Sequence, residues 1–287
     1  MNPSAVLTIA RLTLREASRR RLLIAVVVLT LVLVGMSAWG FQRITSLPCA
    51  NGEPCSPLEQ KTLAAVLVTL ITFMYSFVFA VGAVFVAAPV ISDEADSGVL
   101  LAVLPRPIRR SDIVIGKWLG VAVLIGGYAA ATAGAEFLAV RALVGYTPPH
   151  PLAAIAFLVG EAVVMLTLTL LFSTRLAPMT GGIIALVLFG LAWIGGIAHG
   201  IGEAFGSEVV RNAGLATKFV LPANGLWEGA LYSVQPALVA QTTSAAELAA
   251  NPFVATAPPS EAYLAWVAVW VLGILALAIF SFQRRDL

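Results

Sequence analysis

Six apolar runs of about twenty residues or more dominate this chain, and nothing else in it constrains the fold as strongly. About 20 helical residues, rising 1.5 Å each, cross about 30 Å of hydrocarbon. The runs lie at 22–41, 63–90, 118–140, 152–172, 179–199 and 263–282. The second is the longest and carries no charge, so it is expected to tilt, or to emerge from the bilayer near Pro89. Composition agrees: 60% of the 287 residues are hydrophobic, above the roughly 45–50% of soluble domains. The mean hydropathy is +0.95. The expected fold is an all-α integral membrane protein with six transmembrane helices.

Orientation follows from the Lys and Arg bias of short loops. With the N-terminus inside, Arg11, Arg15, Arg19, Arg20, Arg21, Arg106, Arg109, Arg110, Lys117, Arg175, Arg284 and Arg285 are cytoplasmic. Only Arg43, Lys61, Arg141, Arg211 and Lys218 are then outside. Both termini are therefore expected in the cytoplasm. The formal charge of +2, scattered among apolar runs, argues against nucleic acid as a partner.

Residues 1–21 read as an interfacial helix. Arg11, Arg15 and Arg19 are four apart on one face, and Leu7, Ala10 and Leu14 lie on another. Such a helix lies along the inner membrane surface with its arginines near anionic headgroups. A plain positive-inside anchor is the competing reading. The stretch "SRRRLLIAVVVLTLVLVGMSA" also resembles a signal peptide, but its length and the five runs after it favour a span.

The first outer loop holds the only two cysteines, Cys49 and Cys55, around an Asn51-Gly52 turn pair. In an oxidising compartment a local disulfide is favoured. A free thiol pair and a soft-metal site are the alternatives. The last outer loop, 200–262, is neither charged nor Gly/Ser-rich enough for a disordered linker. Asn224 is a candidate cap for a short helix there carrying Leu226, Trp227, Ala230, Leu231 and Val234. That helix either dips into the outer interface, where Trp227 and Tyr232 are at home, or packs within a small extracellular cap.

Catalytic constellations are missing from the sequence. The two histidines, His150 and His199, lie near outer ends of spans, and there is no zinc-binding, nucleophile-elbow or phosphate-loop pattern. Gly116-Lys117 is followed by Trp118, so the chain is not expected to hydrolyse ATP. Ionisable groups inside spans are functional candidates, because an unpaired one in hydrocarbon costs roughly 2.5 kcal/mol or more. Glu161 lies near mid-membrane in the fourth span; it either makes a structural hydrogen bond or lines a substrate path, for which Tyr75 and Phe73 are further candidates. Glu136 and Arg141 either partner each other or reach headgroups. Glycines 181, 182, 190, 195 and 196 of the fifth span invite close helix approach, within the chain or across a dimer.

The cytoplasmic segment 91–117 concentrates charge between two apolar runs. Acids (Asp93, Glu94, Asp96) come first and bases (Arg106, Arg109, Arg110, Lys117) later. The order suits a helix capped by Ser92 and stopped by Pro105 and Pro107, with the third span capped by Ser111 or Asp112. A helix so anchored would act as a lever on spans two and three; a solvated loop is the alternative.

Glu94-x-x-x-Gly98 followed by "LLAVLPRPIRRSDIVIGKWLG" resembles the first cytoplasmic loop of bacterial ABC-2 type transporter permeases. The subgroup that includes multicopper-enzyme-maturation permeases is the most similar. The arginine-rich N-terminal segment, the "LPANGLWEG" stretch and the terminal "FQRRDL" extend the likeness along most of the chain. The resemblance implies a transmembrane exporter subunit in a bacterial inner membrane. It would bind no cofactor itself, with ATP and Mg held on separate ATPase partners, and would pair with a second permease copy or a homologue. The ATPases would be contacted by Glu94, Asp96, Gly98, Leu101, Pro105 and Arg109, together with Arg11 and Arg15. The other reading is a self-sufficient secondary transporter or channel using Glu161 and Glu136, although no internal repeat supports it.

Overall fold

The computed structural model describes residues 3–18, 21–44, 56–96, 109–236, 251–255 and 257–285, and their regular structure is entirely helical. In chain order the helices are α1 (Pro3–Ser18), α2 (Arg21–Ile44), α3 (Pro57–Ala87), α4 (Pro89–Asp96) and α5 (Arg110–Val144). They continue with α6 (Pro151–Ser173), α7 (Pro178–Ala204), α8 (Glu208–Val220), α9 (Ala223–Val234) and α10 (Glu261–Gln283).

Local chemistry sets the boundaries. Ser56 and Glu59 form a reciprocal capping box at the start of α3: the Glu59 N–H donates to Ser56 Oγ (3.3 Å), and Ser56 N–H donates to Glu59 Oε2 (2.8 Å). Prolines occupy the first turns of α6 and α7, where no N–H is needed. Helix α5 ends at Gly145, whose φ of 68° is the left-handed conformation that glycine adopts without strain.

Five of the described helical segments are long and apolar enough to span a bilayer: Glu59–Asp93, Arg110–Val144, Pro151–Ser173, Pro178–Ala204 and Glu261–Gln283. The protein is therefore an all-α, multi-pass membrane protein with an N-terminal helix, α1, that does not span. The first expected span falls on α2, which is not among those five.

Helices α3 and α4 form one continuous span, because Ala88 between them keeps helical angles (φ −54°, ψ −46°). The expected start of a new helix at Ser92 is thus corrected. Ser92 lies inside α4, and its hydroxyl donates back to the Ala88 carbonyl (2.9 Å) instead of capping a terminus. Likewise α5 begins at Arg110, with Arg109 at its cap position and no side-chain capping bond.

Helix α6 is the centre of the bundle, packing against α3, α5, α7, α9 and α10. Leu158, Ala162, Val164, Met165 and Leu166 of α6 are buried. Helix α10 lies at the periphery: 17% of its apolar window is buried, against 56% for α6. One end of the bundle gathers α1, α4, the start of α5 and the ends of α6 and α10, and is called the terminal end below. Ile91, Ile113, Val114, Leu170, Leu275, Ala278 and Phe282 make its core.

At the opposite end, α8 folds back along α7. Gly195 and Gly202 of α7 lie against Thr217 and Arg211 of α8, and Gly214 of α8 lies against His199, so that no Cβ could be added at these contacts. Gly195 is about nine residues inside the end of α7, so α8 runs back about 13 Å or more along one side of α7. Helix α9 then climbs back between α3, α6 and α7 with Leu226, Trp227, Ala230, Leu231 and Val234 buried. The interfacial and capping-domain expectations are both replaced by a hairpin inserted into the protein. Asn224 is not a cap: Pro222 holds that position. Of the glycines expected to admit a helix, Gly195 meets Thr217 and Gly196 meets Asn224, both within the chain, whereas Gly190 faces open space.

Candidate functional site

Polar chemistry gathers in three regions among the described residues: the terminal end, the middle of the bundle and the tip of the α8–α9 hairpin. At the terminal end, Glu94 and Asp96 belong to the last turn of α4, and Arg109 is exposed at the start of α5. Gly98, Leu101 and Pro105 lie outside the described residues, as do Cys49 and Cys55. Arg11 and Arg15 are exposed on α1. The opposite side of α1, Val6, Ile9, Ala10 and Thr13 at helical spacing, packs on α5. Gly116 and Gly120 make that contact possible: a Cβ on Gly120 would come within 2.6 Å of the Ala10 carbonyl oxygen, and one on Gly116 within 2.9 Å of that of Val6. The Gly-Lys pair at the start of the third span is therefore half of a small-xxx-small face occupied by the chain's own N-terminal helix.

Hydrogen bonds bind these elements together. Lys117 Nζ donates to the Val90 carbonyl of α4. Arg110 Nη1 lies 3.2, 3.1 and 2.8 Å from the carbonyl oxygens of Phe282, Gln283 and Arg285. A helix C-terminus exposes unpaired carbonyls and partial negative charge, which a guanidinium satisfies on both counts. Arg285 in turn donates to the Thr174 carbonyl (3.0 Å), and Arg175 to Ser281 O (3.1 Å). Residues 281–285 are thus tied to the start of α5 and to the turn that follows α6.

The second region is mid-bundle. Glu161 is 1% exposed on α6, and the Ser76 hydroxyl of α3 is 2.8 Å from each of its oxygens. Phe73, one turn away on the same face of α3, sits within 6 Å ring to ring of Phe77, Trp193, Trp227 and Phe253. Tyr75 points to the other side, where its hydroxyl donates to Glu136 Oε2 (3.0 Å), which also accepts from Ser37 of α2 (2.9 Å). Phe73 thus lies one turn from Ser76, the partner of Glu161, while Tyr75 is bonded to Glu136 on the other side of α3. The expected Glu136–Arg141 pairing is corrected: Glu136 is fully buried and Arg141 exposed. Five residues turn a helix by about 140°, which puts the two on nearly opposite sides.

Sequence reasoning missed the tip of the inserted hairpin. Lys218 of α8 pairs with Glu228 of α9 (2.7 Å), which also accepts from Asn224 (2.9 Å). The final carbonyls of α8 and its turn receive donors from α10: Tyr263 OH to Pro222 O (3.1 Å), Trp266 Nε1 to Phe219 O (3.2 Å) and Trp270 Nε1 to Val220 O (2.9 Å). The signal was present in "YLAWVAVW", whose polar-tipped aromatics recur at i, i+3 and i+7. Beside α3, a pocket of about 240 Å³ is bordered by Thr62, Thr69, Gln235, Phe253 and Val254. Among the described residues no group of three or more His, Cys, Asp or Glu side chains could hold a metal ion.

Comparison with curated proteins returns no significant match. A family model described as an ABC-2 family transporter protein matches residues 7–287, which takes in the clamped terminal end, both mid-bundle carboxyl sites and the hairpin. The chain belongs to the ABC-2 family of membrane transporter proteins.

Proposed function

We propose that the chain, as one transmembrane domain over residues 1–287, is the permease subunit of an ATP-binding cassette exporter. ATP and Mg are bound by separate ATPase subunits, and a second permease copy or homologue completes the path. In this reading α2 is the sixth span, both termini are cytoplasmic and the membrane is a bacterial inner membrane. The loop likeness around Glu94-x-x-x-Gly98 favours the subgroup of permeases linked to multicopper-enzyme maturation.

The observation that carries the reading is the family match together with the build of the terminal end. Helix α4, bearing Glu94 and Asp96, is continuous with a membrane span and packed in one core with α5, α6 and α10. A partner that pulls on Glu94, Asp96, Gly98, Leu101, Pro105 and Arg109, with Arg11 and Arg15 beside them, would move spans rather than a tethered loop. Glu161 and Phe73, with Tyr75 across α3, are the candidates for the path.

Purification of the tagged chain from its native membrane tests the reading. An ATPase subunit is expected to accompany it, and Glu94→Arg is expected to uncouple ATP turnover from transport. Purification without any nucleotide-binding subunit would remove its basis. The burial of two carboxylic acids, Glu136 and Glu161, favours one rival, a self-sufficient ion-coupled transporter. That rival predicts ion-driven uptake by the chain alone in liposomes, abolished by Glu161→Gln.

A further inference from the structure

Helix α10 is hydrogen-bonded to its neighbours near both ends and, between Trp270 and Phe282, buries only Leu275 and Ala278. At the terminal end, the Arg110 guanidinium holds the carbonyls of Phe282, Gln283 and Arg285, and its carbon lies 5.9 Å from the centre of the Phe282 ring. Phe282 is itself fully buried against Ile91 of α4 and Ile113 and Val114 of α5. At the other grip, Tyr263, Trp266 and Trp270 hold the last carbonyls of α8 and its turn, and Tyr263 also fills the space beside Gly225 of α9. Between the grips, Leu272 and Leu277 face outward and a Cβ on Gly273 would meet nothing within 4 Å.

We propose that α10 is a strut by which the start of α5 and the tip of the α8–α9 hairpin move together. An unbroken α-helix without proline is stiff along its axis, and about 18 Å separates Trp270 from Phe282. Both grips bond to backbone carbonyls at helix ends, where intrahelical donors run out, so a small displacement at one end is costly unless the other end follows. Other routes for such coupling pass through α6, whose cap residue His150 donates to the Ser233 carbonyl of α9 (3.0 Å), and through α7, which packs along α8; α10 is the one that bonds the last carbonyls of α8. The strut rests on the ATP-driven reading only for the source of the force. Applied at α4 and Arg110, that force would reach the hairpin on the far side of the bundle.

Coupling free energy is reciprocal, so the strut can be tested from both ends without any ATPase. Hydrogen exchange would be measured by mass spectrometry on the full chain in lipid nanodiscs. Arg110→Gln is expected to quicken exchange of amides 216–226 about tenfold, leaving 57–66 at the wild-type rate. The pair Trp266→Phe and Trp270→Phe, which keeps rings but removes donors, is expected to quicken amides 114–120. If Arg110→Gln fails to fold, Arg110→Lys reads the same amides and the tryptophan pair tests the coupling in the opposite direction. Loosening confined to the mutated end, with the far end at the wild-type rate, would overturn the strut. Absence of an ATPase partner would sink the exporter reading and leave these exchange rates as they are, so the two failures are distinguishable.

Discussion

Glu161 depends on one hydroxyl. Ser76 supplies the hydrogen bond that both carboxyl oxygens reach, and Glu161 is only 1% exposed. Ser76→Ala is expected to destabilise the protein by about 1–3 kcal/mol, because the carboxyl would stay buried without a partner. Thermal unfolding of the purified variant measures this, and an unchanged midpoint would show that Glu161 is satisfied by other means. Ser76→Ala combined with Glu161→Gln should cost less than the sum of the two single changes, since they break the same bond. The position of Glu161 could be read from the sequence, because it interrupts an apolar run near its middle. Its partner could not, being 85 residues away on another helix. Glu136 teaches the same lesson more sharply: the nearest opposite charge in sequence lies on the wrong side of the helix, while the real partners, Ser37 and Tyr75, come from α2 and α3.

At the scale of elements, apolar runs announce themselves and inserted hairpins do not. The long runs of the second to sixth expected spans coincide with spanning helices because length and hydropathy alone decide that outcome. Helix α8 mixes Glu208, Arg211 and Lys218 with apolar residues, as a surface helix would, and only its glycine contacts with α7 draw it into the bundle. The docking of α1 was half legible: its arginine face is exposed, but the groove receiving it is made of absent side chains at Gly116 and Gly120. Gly120→Ile should therefore undock α1 and speed tryptic cleavage at Arg11 and Arg15 by about tenfold or more. Gly127→Ile is the control, since a Cβ there meets nothing within 4 Å. Equal cleavage of both variants would mean that the groove does not hold α1. The loop after α5 is fastened to the hairpin by Tyr146, whose hydroxyl donates to the Val234 carbonyl (2.8 Å) and whose ionisation is pushed up to about 12 by burial. That contribution is intact below about pH 10, where the unfolded phenol starts to ionise, and is lost as pH climbs through about 12. Tyr146→Phe should make the alkaline fall in stability shallower; an identical pH profile would exclude the contribution.

For the whole molecule, the membrane class and the family likeness were both within reach of the sequence, the first from composition and the second from one charged loop. What joins the ends of the bundle was not, because Arg110, Phe282, Trp270 and Val220 meet only after the chain has crossed the membrane several times. The structure has a tightly knitted terminal end and a hairpin inserted from the opposite one, which suits a chain moved by a partner at the first and responding at the second. The central claim is that the terminal end faces the compartment where ATP is available. Arg109→Cys, in a chain with Cys49 and Cys55 replaced by serine, places a single thiol at an exposed position of that end. Treatment of intact cells with a membrane-impermeant maleimide should leave it unmodified, and permeabilised cells should show full labelling. Labelling of that thiol in intact cells would put the terminal end outside and contradict the account.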